Sequence, residues 1–308
     1  MRGDEKMLEY STPLDYARMM KTLNLMVERY PFLSFSYLGE TILGRGIPLL
    51  TIGSGDRSVL FVGAQKAREW TISSLLLRWL REMCDLYVAK GKIFHYDIRY
   101  LLSTRCIVVI PMLNPDGVEY CLHGVEKENV LYDRLRSMNE GSEDFSSWQA
   151  NARGVDLSHN YGVGFFEQKE EEQRMGILGG ASFGFGGESS ESEPEVGALC
   201  NYLRYHQEFR AVIDLQMLGE TIGYTSGGRT APRSHRIAKS LSEFSGYALK
   251  NPEQEEARGR LLDFCIVERH LPAFTIHCGR DAPSISVGDP FYLYERLRKM
   301  LFLSLTLI

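Results

Sequence analysis

Ser58-Val59-Leu60-Phe61-Val62-Gly63-Ala64-Gln65-Lys66-Ala67-Arg68-Glu69-Trp70 is the stretch from which the architecture unfolds. Ser58 to Val62 is a short, nearly apolar run that stops at Gly63, the pattern of a buried strand. From Trp70 to Tyr87 apolar residues recur at helical spacing. A buried strand followed by a helix is the repeating unit of an α/β sheet with helices on both faces. Three further runs read as buried strands: Cys106 to Met112, closed by Asn114-Pro115-Asp116-Gly117, then Ala211 to Leu215 and Ala273 to Ile276. Helical patterns separate them at Ser192 to Glu208, Pro232 to Ser245, Leu261 to His270 and Pro290 to Leu303. Ser192 and Glu195 read as a capping box with Pro194 in the first turn, and Gly246 as a helix stop.

Upstream, Thr12 reads as a cap, Pro13 as the first helical residue and Asp15 as an acid at the positive end of a helix that stops at Tyr30-Pro31. Leu33 to Tyr37 and Ile47 to Ile52 read as strands around a Gly44-Arg45-Gly46 turn. No repeat or linker interrupts the chain. The expectation is one α/β domain over residues 1–308, with 1–11 as an N-terminal tail and a mixed, mostly parallel twisted sheet flanked by helices. Residues 162–187 hold eight glycines around the charged stretch Glu167 to Arg174. They read as a long surface loop or as a loop rimming a cleft.

Composition narrows the function classes. The chain has 308 residues, 44% hydrophobic and 24% charged, which excludes a disordered or fibrous protein. A net charge of -5 argues against a general nucleic-acid binder but leaves room for a local basic pocket. The six cysteines form no C-x-x-C pair, so neither a disulfide framework nor a zinc ribbon is expected. Met1 to Tyr10 lacks an apolar signal region, and Met300 to Ile308 is too short to span a bilayer. A cytoplasmic protein that uses no membrane is expected.

Ligands of open α/β sheets bind outside the carboxyl ends of the strands. That rule selects Gln65, Lys66, Arg68 and Glu69 after the first buried strand, Asn114 after the second, Gln216 and Met217 after the third, and His277 after the fourth. No G-x-S-x-G elbow, phosphate-binding loop or H-E-x-x-H motif occurs.

These stretches together resemble the zinc carboxypeptidases of the carboxypeptidase A type, and most of all their bacterial γ-D-glutamyl-diaminopimelate peptidase and murein-peptide amidase branch. The resemblance runs from about Tyr16 to Leu303. It is carried in order by Tyr37-Leu38-Gly39-Glu40, Gly44-Arg45-Gly46-Ile47-Pro48, Gly63 to Trp70, Asn114 to Gly117, Asn151-Ala152-Arg153-Gly154-Val155-Asp156-Leu157, Ser192 to Glu195, Ser245-Gly246-Tyr247 and Pro272 to Ile276. It implies the family fold and a zinc held by two His and one Glu, with an open position for water. At those positions stand Lys66, Gln216 and the retained Glu69. The family's general base, a Glu, is His277 here. Arg153 matches the arginine that polarises the scissile carbonyl, and Arg68 a substrate-contacting arginine. The Asn-Arg pair that grips a terminal carboxylate is Ser158-His159, where His159 binds an anion only when protonated. The family's mobile tyrosine falls near Gln254, its Gly-Gly pair at Arg258-Gly259, and its acidic position at Asp263.

An ammonium has no lone pair for zinc and glutamine is a weak neutral ligand, so no zinc cofactor is expected at the family position, and Lys66 is expected to pair with Glu69. The leading expectation is a pseudopeptidase that binds a peptide or cell-wall fragment through Arg68 and Arg153. The alternatives are an active metallopeptidase or amidase whose metal is rearranged onto Glu69, His277 and His159, and a non-catalytic interaction module.

Overall fold

The computed structural model describes residues 13–279 and 290–307. Its main sheet contains β1 (Ser34–Glu40), β2 (Gly46–Ile52), β3 (Ser58–Val62), β4 (Cys106–Ile110), β5 (Phe209–Met217), β6 (Thr221–Gly223), β7 (Ala248–Leu249) and β8 (Ala273–Cys278). Their spatial order is β1-β2-β4-β3-β5-β8-β6-β7. The four expected buried strands form the parallel centre, β4-β3-β5-β8. β1 and β2 add antiparallel strands on one side, and β6 lies antiparallel to β8 on the other.

Strand alternation sorts side chains into two cores. Val59 and Phe61 face the layer of helices Tyr16–Arg29, Trp70–Ala89, Ser234–Ser245 and Pro290–Thr306, whereas Leu60 and Val62 face helix Pro194–Tyr205 and Leu261 to Ile266. Because both faces of β3 are covered, all five of its residues are buried, which is why the run shows no polar alternation. Phe61 packs on Trp79 with ring centroids 4.7 Å apart, fastening the strand to the helix that follows it. Gly63 lets that helix approach: a Cβ there would lie 2.8 Å from Ile72 and from Leu76.

Several boundaries differ from the sequence reading. Helix Tyr16–Arg29 is capped by Asp15, whose carboxylate accepts from Arg18 N at 2.8 Å, while the Thr12 cap and the 1–11 tail lie outside the described residues. Asn114 to Gly117 starts a helix, Pro115–His123, in which Asn114 accepts from Gly117 N at 3.0 Å and Pro115 takes the first turn. Helix Pro194–Tyr205 has Glu193 at its cap position and no capping side chain, because Ser192 turns its hydroxyl to Glu193 instead. The charged run in residues 162–187 is a helix, Phe165–Arg174, rather than loop. Its buried Gln168 and Glu172 clamp the glycine-rich return through Gly184 O and Gly186 N. Leu261 to His270 is one α-helical turn followed by a π-helix, Phe264–Glu268. Among the described residues no helix is long and apolar enough to cross a membrane.

Candidate functional site

β5 and β8 both extend past their apolar runs, because their parallel ladder continues through Gln216 opposite His277 and Met217 opposite Cys278. Gln216 and His277 are therefore strand residues, held side by side by backbone pairing, rather than loop residues beyond it. β3 delivers Lys66 and Glu69 to the same end of the sheet through a short 3-10 turn, Ala67–Glu69. The structure thus brings Lys66, Glu69, Gln216 and His277, four of the eight residues selected by the strand-end rule, to one end of the sheet.

Their contacts are specific. Lys66 Nζ donates to Gln216 Oε1 at 3.4 Å, and Gln216 Nε2 donates to Asp214 Oδ2 at 2.8 Å. The other Asp214 oxygen accepts from Gln65 Nε2 at 2.7 Å, and Gln65 Oε1 accepts from Tyr161 OH at 2.7 Å. Glu69 accepts from Met217 N at 2.9 Å through Oε1, while its buried Oε2 has no partner. The expected Lys66–Glu69 ion pair is not formed within 4 Å; the ammonium leans on the Gln216 amide instead. Asn114 lies fully buried beneath the site and ties Gln65 O to Ala150 O, which makes it a brace and not a ligand group.

Burial governs the charges. Removal from water pushes the Glu69 carboxyl up to about 7 and that of Asp214 up to about 6, and Lys66 opposes both shifts. Burial pushes His277 down to about 3, with the Lys250, Lys66 and Arg260 cations acting in the same direction, so its ring is neutral, and its Nδ1 is buried without a partner. Burial also lowers the His159 pKa, and its Nδ1 lies 2.9 Å from Arg258 O. Burial thus favours the neutral form of His159, whose ring is anchored to a backbone carbonyl. Ser158 is likewise turned inward, donating its hydroxyl to Asp156 at 2.6 Å.

The rim is more open. The Arg153 side chain is 51% exposed and sits 3.8 Å from Glu193, whose other oxygen accepts from Asn151 at 2.7 Å. Arg68 is half-buried, with its Nε lacking a partner. Gln254 is exposed in a short turn, Pro252–Gln254. Gly259 sits at φ +66, where a Cβ would lie 2.5 Å from His159 O, so a glycine alone lets this loop cross so closely. Asp263 is buried and fully engaged, accepting from Arg258 N, Arg260 N and the Arg260 guanidinium.

A zinc ion needs unprotonated lone-pair donors. Here one position is an ammonium, the second is an amide oxygen already accepting from that ammonium, and the third is a carboxylate with one oxygen bound to backbone. Among the described residues no group of three His, Cys, Asp or Glu is arranged to hold a metal. Lys66, Gln216 and Glu69, as they are bonded here, do not fit the ion at the family position. Asp214 escaped the sequence reading, although a lone acid inside Val212-Ile213-Asp214-Leu215 is the mark of a buried charge with arranged partners.

Comparison with known proteins agrees with the fold and its landmarks. The gamma-D-glutamyl-L-diamino acid endopeptidase 1 of Lysinibacillus sphaericus is 24% identical over 282 residues, 91% of this chain and 69% of that protein. The uncharacterized protein YqgT of Bacillus subtilis is 25% identical over 308 residues, 99% of this chain and 80% of that one. The crystal structure of carboxypeptidase A from Helicoverpa armigera superposes with a TM-score of 0.69 at 17% identity, over 97% of this chain and 73% of that one. The profile of the zinc carboxypeptidase family matches residues 19–263, and the chain belongs to that family.

Proposed function

We propose that this family member binds a peptide, of the cell-wall fragment class, in its carboxyl-end cleft and does not hydrolyse it through a zinc in the family position. The observation that carries the reading is the Lys66 ammonium donating to Gln216, so that the two positions where the family has histidine ligands are bonded to each other. With no metal there to lower the pKa of a water toward about 7, the neutral His277 ring has no activated nucleophile to serve. Recognition falls to the rim, where Arg153 and Arg68 offer guanidinium groups to the carboxylates of such a peptide. The peptide class is carried over from the name of the Lysinibacillus relative. All six cysteines are free, which supports a reducing compartment.

A second reading has its own support. Glu69 Oε2 and His277 Nδ1 are both buried without partners, and a metal shifted between them would satisfy both and restore hydrolysis.

Elemental analysis of the purified protein, combined with calorimetry and cleavage assays on a γ-D-glutamyl-diamino acid peptide, separates the readings. The expected result is far less than one zinc per chain, measurable binding and no chelator-sensitive cleavage. Stoichiometric metal with cleavage abolished by chelation overturns the first reading in favour of the second.

A further inference from the structure

The parallel strands have a second end, and it carries a cavity of its own. Asp56 and Arg57 precede β3, Gln207, Phe209 and Arg210 stand at the start of β5, and Leu271 and Pro272 precede β8. Because β3, β5 and β8 are parallel neighbours, these three entries lie side by side. With Arg233 and Arg269 they line a cavity of about 620 Å³, a volume typical of small-molecule sites. It lies at the strand ends opposite Lys66, Glu69, Gln216 and His277, and it does not depend on what those residues do.

The lining is strongly basic in an acidic protein. Arg57, Arg210, Arg233 and Arg269 share the lining with one carboxylate, Asp56, while Glu208 beside it is paired with the lining His206 at 2.7 Å. Among the described residues none of the four arginines forms an ion pair within 4 Å with any carboxylate, whereas Arg204, Arg258 and Arg260 nearby in sequence are all paired. Two of the four are held ready. Gln207 braces both, its side-chain oxygen accepting from Arg269 Nη2 at 2.9 Å and its backbone oxygen from Arg210 Nη1 at 3.1 Å. Arg269 Nε is buried and has no acceptor, an unmet charged donor of the kind that an incoming anion satisfies. Helix Ser234–Ser245 starts at the same wall, with Arg233 at φ +69 in its cap position and no capping side chain, which adds the positive end of the helix.

We propose that this cavity is a binding site for a phosphorylated small molecule bearing two or more anionic phosphoryl groups. Guanidinium forks match phosphoryl oxygens bidentately, and four of them exceed what a single carboxylate ligand would neutralise.

Inorganic pyrophosphate, ADP and sulfate, each titrated into the full chain by calorimetry at two salt concentrations, test the proposal. Pyrophosphate or ADP is expected to bind in the micromolar range, sulfate at least about tenfold more weakly, and affinity to fall with added salt. Tighter binding of ADP than of pyrophosphate identifies a nucleotide-like ligand, and the reverse an inorganic or non-nucleotide phosphate. Arg269→Gln and Arg57→Gln are each expected to weaken binding by about tenfold, and Lys21→Gln, an exposed cation on helix Tyr16–Arg29, to leave it unchanged. Arg57 is exposed, so its variant reports on the site even if Arg269→Gln misfolds. No heat of binding at millimolar pyrophosphate and ADP, or equal affinities in wild type and Arg57→Gln, overturns the assignment.

Discussion

The two ends of the central strands handle charge in opposite ways. At the carboxyl end, Lys66, Gln216, Asp214, Gln65 and Tyr161 form a chain of contacts in which cation, amides and carboxylate satisfy one another. At the amino end, four arginines line a cavity with no carboxylate within ion-pair distance among the described residues, and two of them donate only to neutral oxygens of Gln207 and Phe209. The lesson is that position on a sheet does not by itself make a site demand a ligand. The chain from Lys66 to Tyr161 is closed by its own side chains, although Glu69 Oε2 and His277 Nδ1 beside it stay unpartnered, while the arginine-lined end lacks a carboxylate to answer it.

The most forceful way to break this contrast is to reopen the closed network. Replacing Lys66 and Gln216 together by histidine supplies two neutral nitrogen donors beside Glu69. The double variant is expected to gain at least about a thousandfold in zinc affinity over the natural chain, as metal sites of this ligand type allow. Equilibrium dialysis with elemental analysis checks it; an unchanged affinity would show that these positions do not converge.

A second prediction concerns the Glu195 carboxyl near the rim, where burial pushes the pKa up to about 7 from an ordinary 4.5. A raised carboxyl pKa means the native state holds the proton more tightly than the unfolded chain. Stability is therefore fully present below about pH 4.5 and is lost as pH rises toward about 7. Glu195→Gln removes this loss, so the variant is expected to exceed wild type by about 2–3 kcal/mol more at pH 8 than at pH 5. Urea unfolding at the two pH values measures the gap, and parallel pH profiles for the two proteins would refute it.

Asp214→Asn tests the closed network from its centre. One amide oxygen cannot accept from Gln65 and Gln216 as the carboxylate does, and an added NH2 then faces a donor. A destabilisation of about 2 kcal/mol is expected in thermal or urea unfolding, and a change below about 0.5 kcal/mol would show that the network contributes little. The smallest stability effect belongs to Arg153→Ala. That side chain is half exposed and 3.8 Å from its carboxylate, so stability should move by less than about 0.5 kcal/mol while peptide affinity falls. Unchanged peptide affinity would remove Arg153 from the binding rim.

Much of this molecule is legible in its sequence because local pattern carries it. The four parallel strands are covered on both faces, so they stand out as continuous apolar runs, and the strand-end rule then reaches Lys66, Glu69, Gln216 and His277 without the structure. β6 and β7 are not legible, since three and two residues carry no periodicity and their pairing depends on β8 already being in place. Helix Phe165–Arg174 hides for a related reason: its exposed residues include Phe166 beside Glu167, Glu170 and Arg174, and its buried residues are the polar Gln168 and Glu172, which inverts the usual apolar stripe. Ser158 and His159 show the limit at the site, because their family positions suggest ligand contact while Asp156 and Arg258 O draw them inward.

The sequence alone determined the long apolar-patterned elements, which strands are central and which residue types reach the carboxyl ends. Only the tertiary structure decided which charges are answered. Whether Lys66 meets Glu69 or Gln216, and whether Arg269 finds a carboxylate or none, depends on side chains far apart in sequence meeting in a low-dielectric interior. Helical and strand periods are properties of neighbours along the chain, but electrostatic compensation is a property of the packed whole.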